Sequence, residues 1–182
     1  MIHYLSPYRS DKDIGKAYNE AIEKLDSRDW VCLMDADAMP LLPDYGTQIE
    51  QILSEHGRKY GLIGAMTNRA GRDEQLYNGF SEDPNILNHI QIAREARDKF
   101  GNEVEPMPKG YVAGLFMLFS VKTWVRVGGF KEGTITADSN FTRRVRAKGL
   151  KVGMAKGLYI FHLYRMETSG QEAAKQNKGH LE

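Results

Sequence analysis

Two aspartates separated by one residue, Asp35-Ala36-Asp37, follow directly on the apolar run Trp30-Val31-Cys32-Leu33-Met34. A run of that length is too short for a helix and reads as a buried strand, so the carboxylates stand where the chain leaves the sheet. Past the last strand position the strict alternation of side chains lapses, and both carboxylates can face one hard cation. Like charges a few ångströms apart raise each other's pKa. A Mg²⁺ or Mn²⁺ ion relieves that repulsion and keeps positions open for phosphate oxygens. The competing reading is a pair of loop aspartates that cap a turn or helix; the strand in front of them favours the cation.

The elements that position this pair follow from apolar spacing. Ile2 to Leu5 reads as a short strand that stops at Ser6-Pro7, where proline withdraws a ladder donor. From Asp13 to Leu25, the residues Ile14, Ala17, Ala21, Ile22 and Leu25 recur at the helix period, with Asp13 as N-cap. After the aspartates, Pro40 and Pro43 hold a loop before a helix over 44–54, and 62–67 is a further apolar strand. The polar stretch 68–85 reads as loop, 86–100 as helix, and Pro106 and Pro108 as a break. A strand at 115–121, a short helix at 122–127 stopped by Gly128-Gly129, a basic helix over 138–148 ending at Gly149, and strands at 152–154 and 158–161 complete the pattern. Alternating strands and helices predict a single α/β domain over residues 1–180. Its sheet is expected to be mostly parallel and flanked by helices, with ligands bound beyond the carboxyl ends of the strands. Pro7, Asp35 and Asp37 would share that rim. The closing Leu181-Glu182 reads as a vector-derived junction.

Several segments, in order, resemble the GT-A fold glycosyltransferases that use nucleotide-diphospho-sugars, and among them the inverting family 2. Ala17-Tyr18-Asn19-Glu20-Ala21-Ile22 is similar to that family's Ala-Arg-Asn-x-Gly-Ile helix, and Leu33-Met34-Asp35-Ala36-Asp37 with Pro43-Asp44 to its DxD strand and following loop. Ala113 to Leu118 and Val127-Gly128-Gly129-Phe130 resemble its acceptor-side strand and Gly-Gly-Phe turn. Ala137-Asp138-Ser139-Asn140-Phe141, with Arg144 and Gly149, resembles its Glu-Asp-x-Asp-Leu helix start. The resemblance implies a metal-dependent transfer of a sugar from a nucleoside diphosphate, most simply a UDP-sugar, to an acceptor hydroxyl with inversion. Asp138 would be the base that takes the hydroxyl proton, the competing role being a plain helix cap. Asp35, Asp37 and His162 would hold Mn²⁺ or Mg²⁺. Pro7, Tyr8, Arg9, Asp11, Lys16, Asn19 and Ala36 would face the donor, and Gly114, Gly128 and Gly129 the acceptor.

The chain departs from the family pattern in places. Only Arg9 to Lys12 separates the first strand from the Asn19 helix, where the family carries a further strand and helix with a base-binding aspartate; Asp11 or Asp13 would have to substitute. Ala137, Asn140 and Ala38 stand where the family has acids. A sugar-phosphate nucleotidyltransferase is a rival, but Tyr8-Arg9-Ser10-Asp11 lacks the glycine-rich loop those enzymes carry. A haloacid-dehalogenase-like phosphatase needs its DxD on the first strand. A degenerate, non-catalytic nucleotide-sugar-binding or scaffold protein is the non-enzymatic alternative.

Bulk properties narrow the classes further. The 182 residues are 41% hydrophobic and 27% charged, a globular balance. With 25 basic and 24 acidic residues the net charge is +1, which gives no field for nucleic acid, and the run Arg143-Arg144-Arg146-Lys148 reads as a solvated or acceptor-facing helix. The single cysteine, Cys32, is expected to be a buried reduced thiol. With no apolar stretch of about 18–20 residues to span a bilayer and no signal peptide, a cytoplasmic location is expected.

Overall fold

The computed structural model describes residues 1–71 and 73–163; Leu181-Glu182 and the far end of the expected domain lie outside the described residues. In chain order the elements are β1 (Ile2–Leu5), α1 (Ile14–Ile22), β2 (Trp30–Met34), β3 (Ala38–Pro40), α2 (Tyr45–His56), β4 (Leu62–Thr67), a 3-10 turn at Asp73–Gln75, α3 (Ile86–Phe100), β5 (Val104–Pro106), β6 (Phe116–Ser120), α4 (Val121–Val127), α5 (Ala137–Ala147) and β7 (Val152–His162). The strands form one sheet in the order β1-β2-β6-β4-β7-β3, with β5 also paired to β7. Among the described residues no helix is long and apolar enough to cross a membrane.

Helices cover both faces of this sheet, which is why its central strands are apolar throughout. Val31, Leu33, Met117 and Phe119 pack with Tyr18, Ile22, Val127, Phe141 and Val145. The residues between them along β2 and β6, Cys32, Phe116 and Leu118, pack with Ile49 and Ile52 of α2. Cys32 is fully buried and free, and burial pushes its thiol up to about 12.

The sheet is mixed, not mostly parallel as expected. β1 pairs with β2 and β4 with β7 in parallel, whereas β6 is antiparallel to both its neighbours and β3 and β5 are antiparallel to β7. A strand covered on both faces reads as an apolar run whichever way its neighbours point, so the direction of β6 leaves no mark in its composition. β3 and β5 are three-residue edge strands ending in Pro40 and Pro106, positions where proline is tolerated because a ladder donor is dispensable. The two late strands expected at 152–154 and 158–161 are one, β7. Its pairing with β4 jumps from Ala65↔Ala155 to Met66↔Tyr159, so residues 156–158 bulge. At the bulge the Gln48 amide donates to the carbonyls of Gly157 and Gly101, at 3.0 and 3.2 Å. A Cβ on Gly157 would strike the Gly101 carbonyl.

Despite the mixed pairing, β1, β2, β4 and β7 run in one direction, so their carboxyl ends share a rim. α1 is tied to the opposite side of that rim by Asn19. Its Oδ1 accepts from Phe130 N at 2.8 Å and Trp124 Nε1 at 3.1 Å, and its Nδ2 donates to Phe130 O at 3.0 Å and Glu132 Oε1 at 2.9 Å. Gly129, at φ +70°, lies so near that a Cβ would sit 2.9 Å from Asn19 Oδ1. Asn19→Ala therefore strands the Phe130 amide and the Trp124 indole N–H. A loss of about 2–3 kcal/mol is expected, read as a fall in Tm of about 5–10 °C in a thermal melt.

Candidate active site

Three ligand-type side chains meet at the rim: Asp35, Asp37 and His162 each offer an atom within 4.8 Å of the others. The strand register brings them together. The chain leaves β2 at Asp35, turns with Ala38 N donating to Asp35 O at 3.0 Å, and enters β3 with Ala38 opposite His162. Leu163 N then donates to Asp37 O at 2.9 Å, so Asp37 lies against the end of β7 with its Oδ1 3.3 Å from His162 Nε2.

The orientation of the His162 ring is determined by its other nitrogen. Nδ1 lies 2.8 Å from the Arg69 carbonyl, which only accepts, so Nδ1 carries a proton. Nε2 then holds the lone pair of the neutral ring, the arrangement common to metal-ligating histidines. The backbone is pinned as well: Asn68 Oδ1 accepts from His162 N at 2.8 Å and Asn68 Nδ2 donates to His162 O at 3.1 Å. His162 is buried and the Asp37 side chain half-exposed, which leaves the cluster open on the aspartate side. Two carboxylates and one imidazole fit a divalent ion of the Mn²⁺ class, with the imidazole favouring it over Mg²⁺.

Asp35 connects this cluster to Asp138. Asp35 Oδ1 accepts from the Tyr18 hydroxyl at 3.3 Å. A Cβ on Gly114 would lie 3.7 Å from both Asp35 Oδ1 and Tyr18 Oη, while the Gly114 amide donates to Asp138 Oδ2 at 3.1 Å. Gly114 thus stands beside Asp35, where any side chain would meet its carboxylate, and is bonded to Asp138. Asp138 Oδ1 also accepts from its neighbour Ser139 N at 2.6 Å, so it binds the first turn of α5 and reaches across to Gly114 at once.

Electrostatics separate the three acids. Burial raises Asp35, and the nearby Asp37 adds to this, against the pull of His162 and the Tyr18 hydrogen bond. Asp37 is lowered, first by its bond to His162. Asp138 is pushed up to about 6 by burial, although the Ser139 and Gly114 amides pull the other way. A helix start favours the anion, but here desolvation outweighs the backbone donors and leaves the group poised instead. For His162 burial acts downward, but the hydrogen bonds to Asp37 and Arg69 and the charges of Asp37 and Asp35 leave it raised.

The remaining expected site residues are placed differently. Arg9 is engaged by Asp11 and Glu20, with Nη2 2.7 Å from Asp11 and Nη1 2.8 Å from Glu20, and Asp11 also accepts from Asp13 N. Asp13 caps α1 at Lys16 N and takes Gly133 N. Tyr8 is 86% exposed, Pro7 and Lys16 are half-buried, and Ala36 is exposed beside the aspartates. Asn19 is committed to the clamp described above. Gly128 is the left-handed cap of α4 at φ +79°. It forms with Gly129 a turn whose carbonyls are gripped by Arg144, from Nη1 to Val127 O and Gly128 O and from Nη2 to Gly129 O at 2.6 Å. Tyr18, Asn68 and the Arg69 carbonyl were not foreseen. Tyr18 replaces the arginine of the resembled motif, and that departure was the available signal. The sequence matches no protein-family model and no curated protein.

Two outcomes are expected. Mn²⁺ should raise the Tm of the protein by mass action, and Asp37→Ala or His162→Ala should abolish the rise. Because the ligating ring must be neutral and its pKa is raised, Mn²⁺ affinity by calorimetry should increase as pH rises through the neutral range. Separately, a carboxyl whose folded pKa is raised contributes stability that is full below its unfolded value and lost as pH rises through about 6. Urea unfolding of the metal-free protein at about pH 5 and pH 8 should therefore shift the wild-type-to-Asp138→Asn difference by about 1–2 kcal/mol toward the variant.

Proposed function

We propose that the protein is a metal-dependent glycosyltransferase of the GT-A kind, moving a sugar from a nucleoside diphosphate, most simply a UDP-sugar, to an acceptor hydroxyl with inversion. The observation that carries this reading is the pairing, across Gly114, of a buried carboxylate poised near neutrality with a separate Asp-Asp-His cluster. An inverting transfer needs those two parts: a base on the acceptor side and a charge sink on the leaving-group side.

In this reading Asp138 accepts the proton of the acceptor hydroxyl as its oxygen forms a bond to the anomeric carbon, and the bond from that carbon to the diphosphate breaks on the opposite face. When bound, a Mn²⁺ or Mg²⁺ ion held by Asp35, Asp37 and His162 supplies neutralisation of the departing diphosphate. Tyr18 keeps Asp35 turned toward the site, and the Arg69 carbonyl keeps His162 Nε2 facing Asp37. The Gly114 amide holds Asp138 Oδ2 on the donor side of α5. The exposed Tyr8 ring, just past β1, offers a stacking face for the base. Arg9, whose guanidinium faces two carboxylates, shapes the loop more than it neutralises phosphate.

With Mn²⁺ and a panel of UDP-sugars, the wild type should release UDP by transfer or slow hydrolysis. Asp138→Asn should lower turnover by about 10²–10⁴-fold while Mn²⁺-dependent UDP binding by calorimetry persists. kcat/KM should fall on the acid side with a limb near the Asp138 value of about 6, displaced downward where the cation's charge is felt. A wild type that binds UDP with Mn²⁺ but never turns over any donor would leave a binding protein in place of the enzyme.

A further inference from the structure

One face of α5 opens on a groove of about 520 Å³, lined by Thr136, Ser139, Asn140, Arg143 and Arg146 and, across from them, by the loop at Gly110 and Tyr111. Thr136, Ser139, Asn140 and Arg143 follow the i, i+3, i+4, i+7 spacing that aligns side chains along a helix. Asp138 leaves the same first turn on the neighbouring face, toward Gly114. The end of the groove at Thr136, Ser139 and Asn140 therefore lies within one helical turn of Asp138 along α5. The volume is in the range of small-molecule sites, about 300–1,000 Å³.

Among the described residues, neither arginine of the groove forms an ion pair. Arg143 is exposed, and Nη2 donates to the neutral Asn140 Oδ1 at 2.8 Å; among the described residues it forms no ion pair, and most of its five N–H donors remain for a ligand. Arg146 bonds three carbonyls, of Gly110, of Met107 at 2.7 Å and of Lys109 at 3.0 Å. It fastens the opposite loop with neutral partners and keeps its charge at the groove. The positive end of α5 points the same way, and its N-cap Thr136 makes no side-chain capping bond. The Glu74 carboxylate lies against Gly110, which confines an anion to the α5 side.

We propose that this groove is the acceptor subsite and that the acceptor carries an anionic group, a phosphate, sulfate or carboxylate, bound by Arg143. The proposal rests on the transferase reading for the word acceptor, and on the groove alone for the anion. The same chemistry could be met by the donor's own diphosphate, so the test separates the two sources. Inorganic phosphate is titrated into ¹⁵N-labelled protein in chloride buffer, with and without saturating UDP and Mg²⁺, the diamagnetic ion being used because Mn²⁺ would broaden nearby amides. Saturable amide shifts are expected at residues 137–140 and 111. They should weaken at least tenfold in Arg143→Gln, whose exposed position leaves the Tm unchanged, and persist when UDP and Mg²⁺ are bound. Shifts that do not saturate, that survive Arg143→Gln, or that vanish on adding UDP and Mg²⁺ overturn the proposal, the last by assigning the anion to the donor. If UDP with Mg²⁺ fails to bind while the phosphate shifts behave as expected, the transferase reading falls and the anion site stands.

Discussion

The antiparallel pairing of β3 with the last residues of β7 is the constraint on which the site depends. Ala38 opposite His162 allows Asp37, three residues beyond the end of β2, to face an imidazole more than a hundred residues later in the chain. One residue of slip would turn His162 to the other face of the sheet, because side chains alternate along a strand. The register is held from several directions. Asn68 bonds both the amide and the carbonyl of His162, and Leu163 N bonds Asp37 O. The β-bulge at 156–158 sets the phase of the last β7 residues relative to β4. Without those three extra residues, a different set of side chains would arrive at the rim.

A second tension is electrostatic. Asp35 and Asp138 are both raised by burial, and the charge of Asp35 raises Asp138 further. The fold offsets this with oriented neutral donors: the Tyr18 hydroxyl on Asp35, and the Gly114 and Ser139 amides on Asp138. Neutral donors stabilise an anion less than an ion pair does, so the acids remain responsive to an incoming charge. Arginine at position 18, as in the resembled motif, would place a cation where this protein has an uncharged hydroxyl. That position is thus the point at which this chain most changes the electrostatics the resemblance implies.

Much of this was legible in the sequence, and the reasons are specific. The strands Trp30–Met34 and Leu62–Thr67 and the helix Ile86–Phe100 are bounded by residues of strong local preference, so periodicity found them. Asp35 and Asp37 were legible because an acidic pair after an apolar run is conspicuous. The direction of β6 was not, since burial on both faces removes the alternation that would distinguish its neighbours. β3 and β5 were read as loop because each carries a proline, and only their place at an edge of β7 makes them strands. Asn19 was assigned to the donor from motif similarity alone. Its side chain spends its donors and acceptor on Phe130, Trp124 and Glu132, long-range contacts that spacing within α1 does not encode.

The arginines of α5 show how composition and position diverge. A basic helix in a chain of net charge +1 reads as a solvated surface, yet Arg144 and Arg146 are bound to six backbone carbonyls between them, at Val127, Gly128, Gly129, Met107, Lys109 and Gly110. Each guanidinium fastens a loop that has no ladder of its own: Arg144 the turn clamped on the far side by Asn19, Arg146 the segment leading to Gly114. The segment held by Arg146 ends at Gly114, whose amide bonds Asp138 Oδ2. A planar fork with five donors can hold three carbonyls at once, which a lysine cannot do with comparable rigidity. The charge of α5 therefore serves position first, and what remains at Arg143 is the part of it turned toward a ligand.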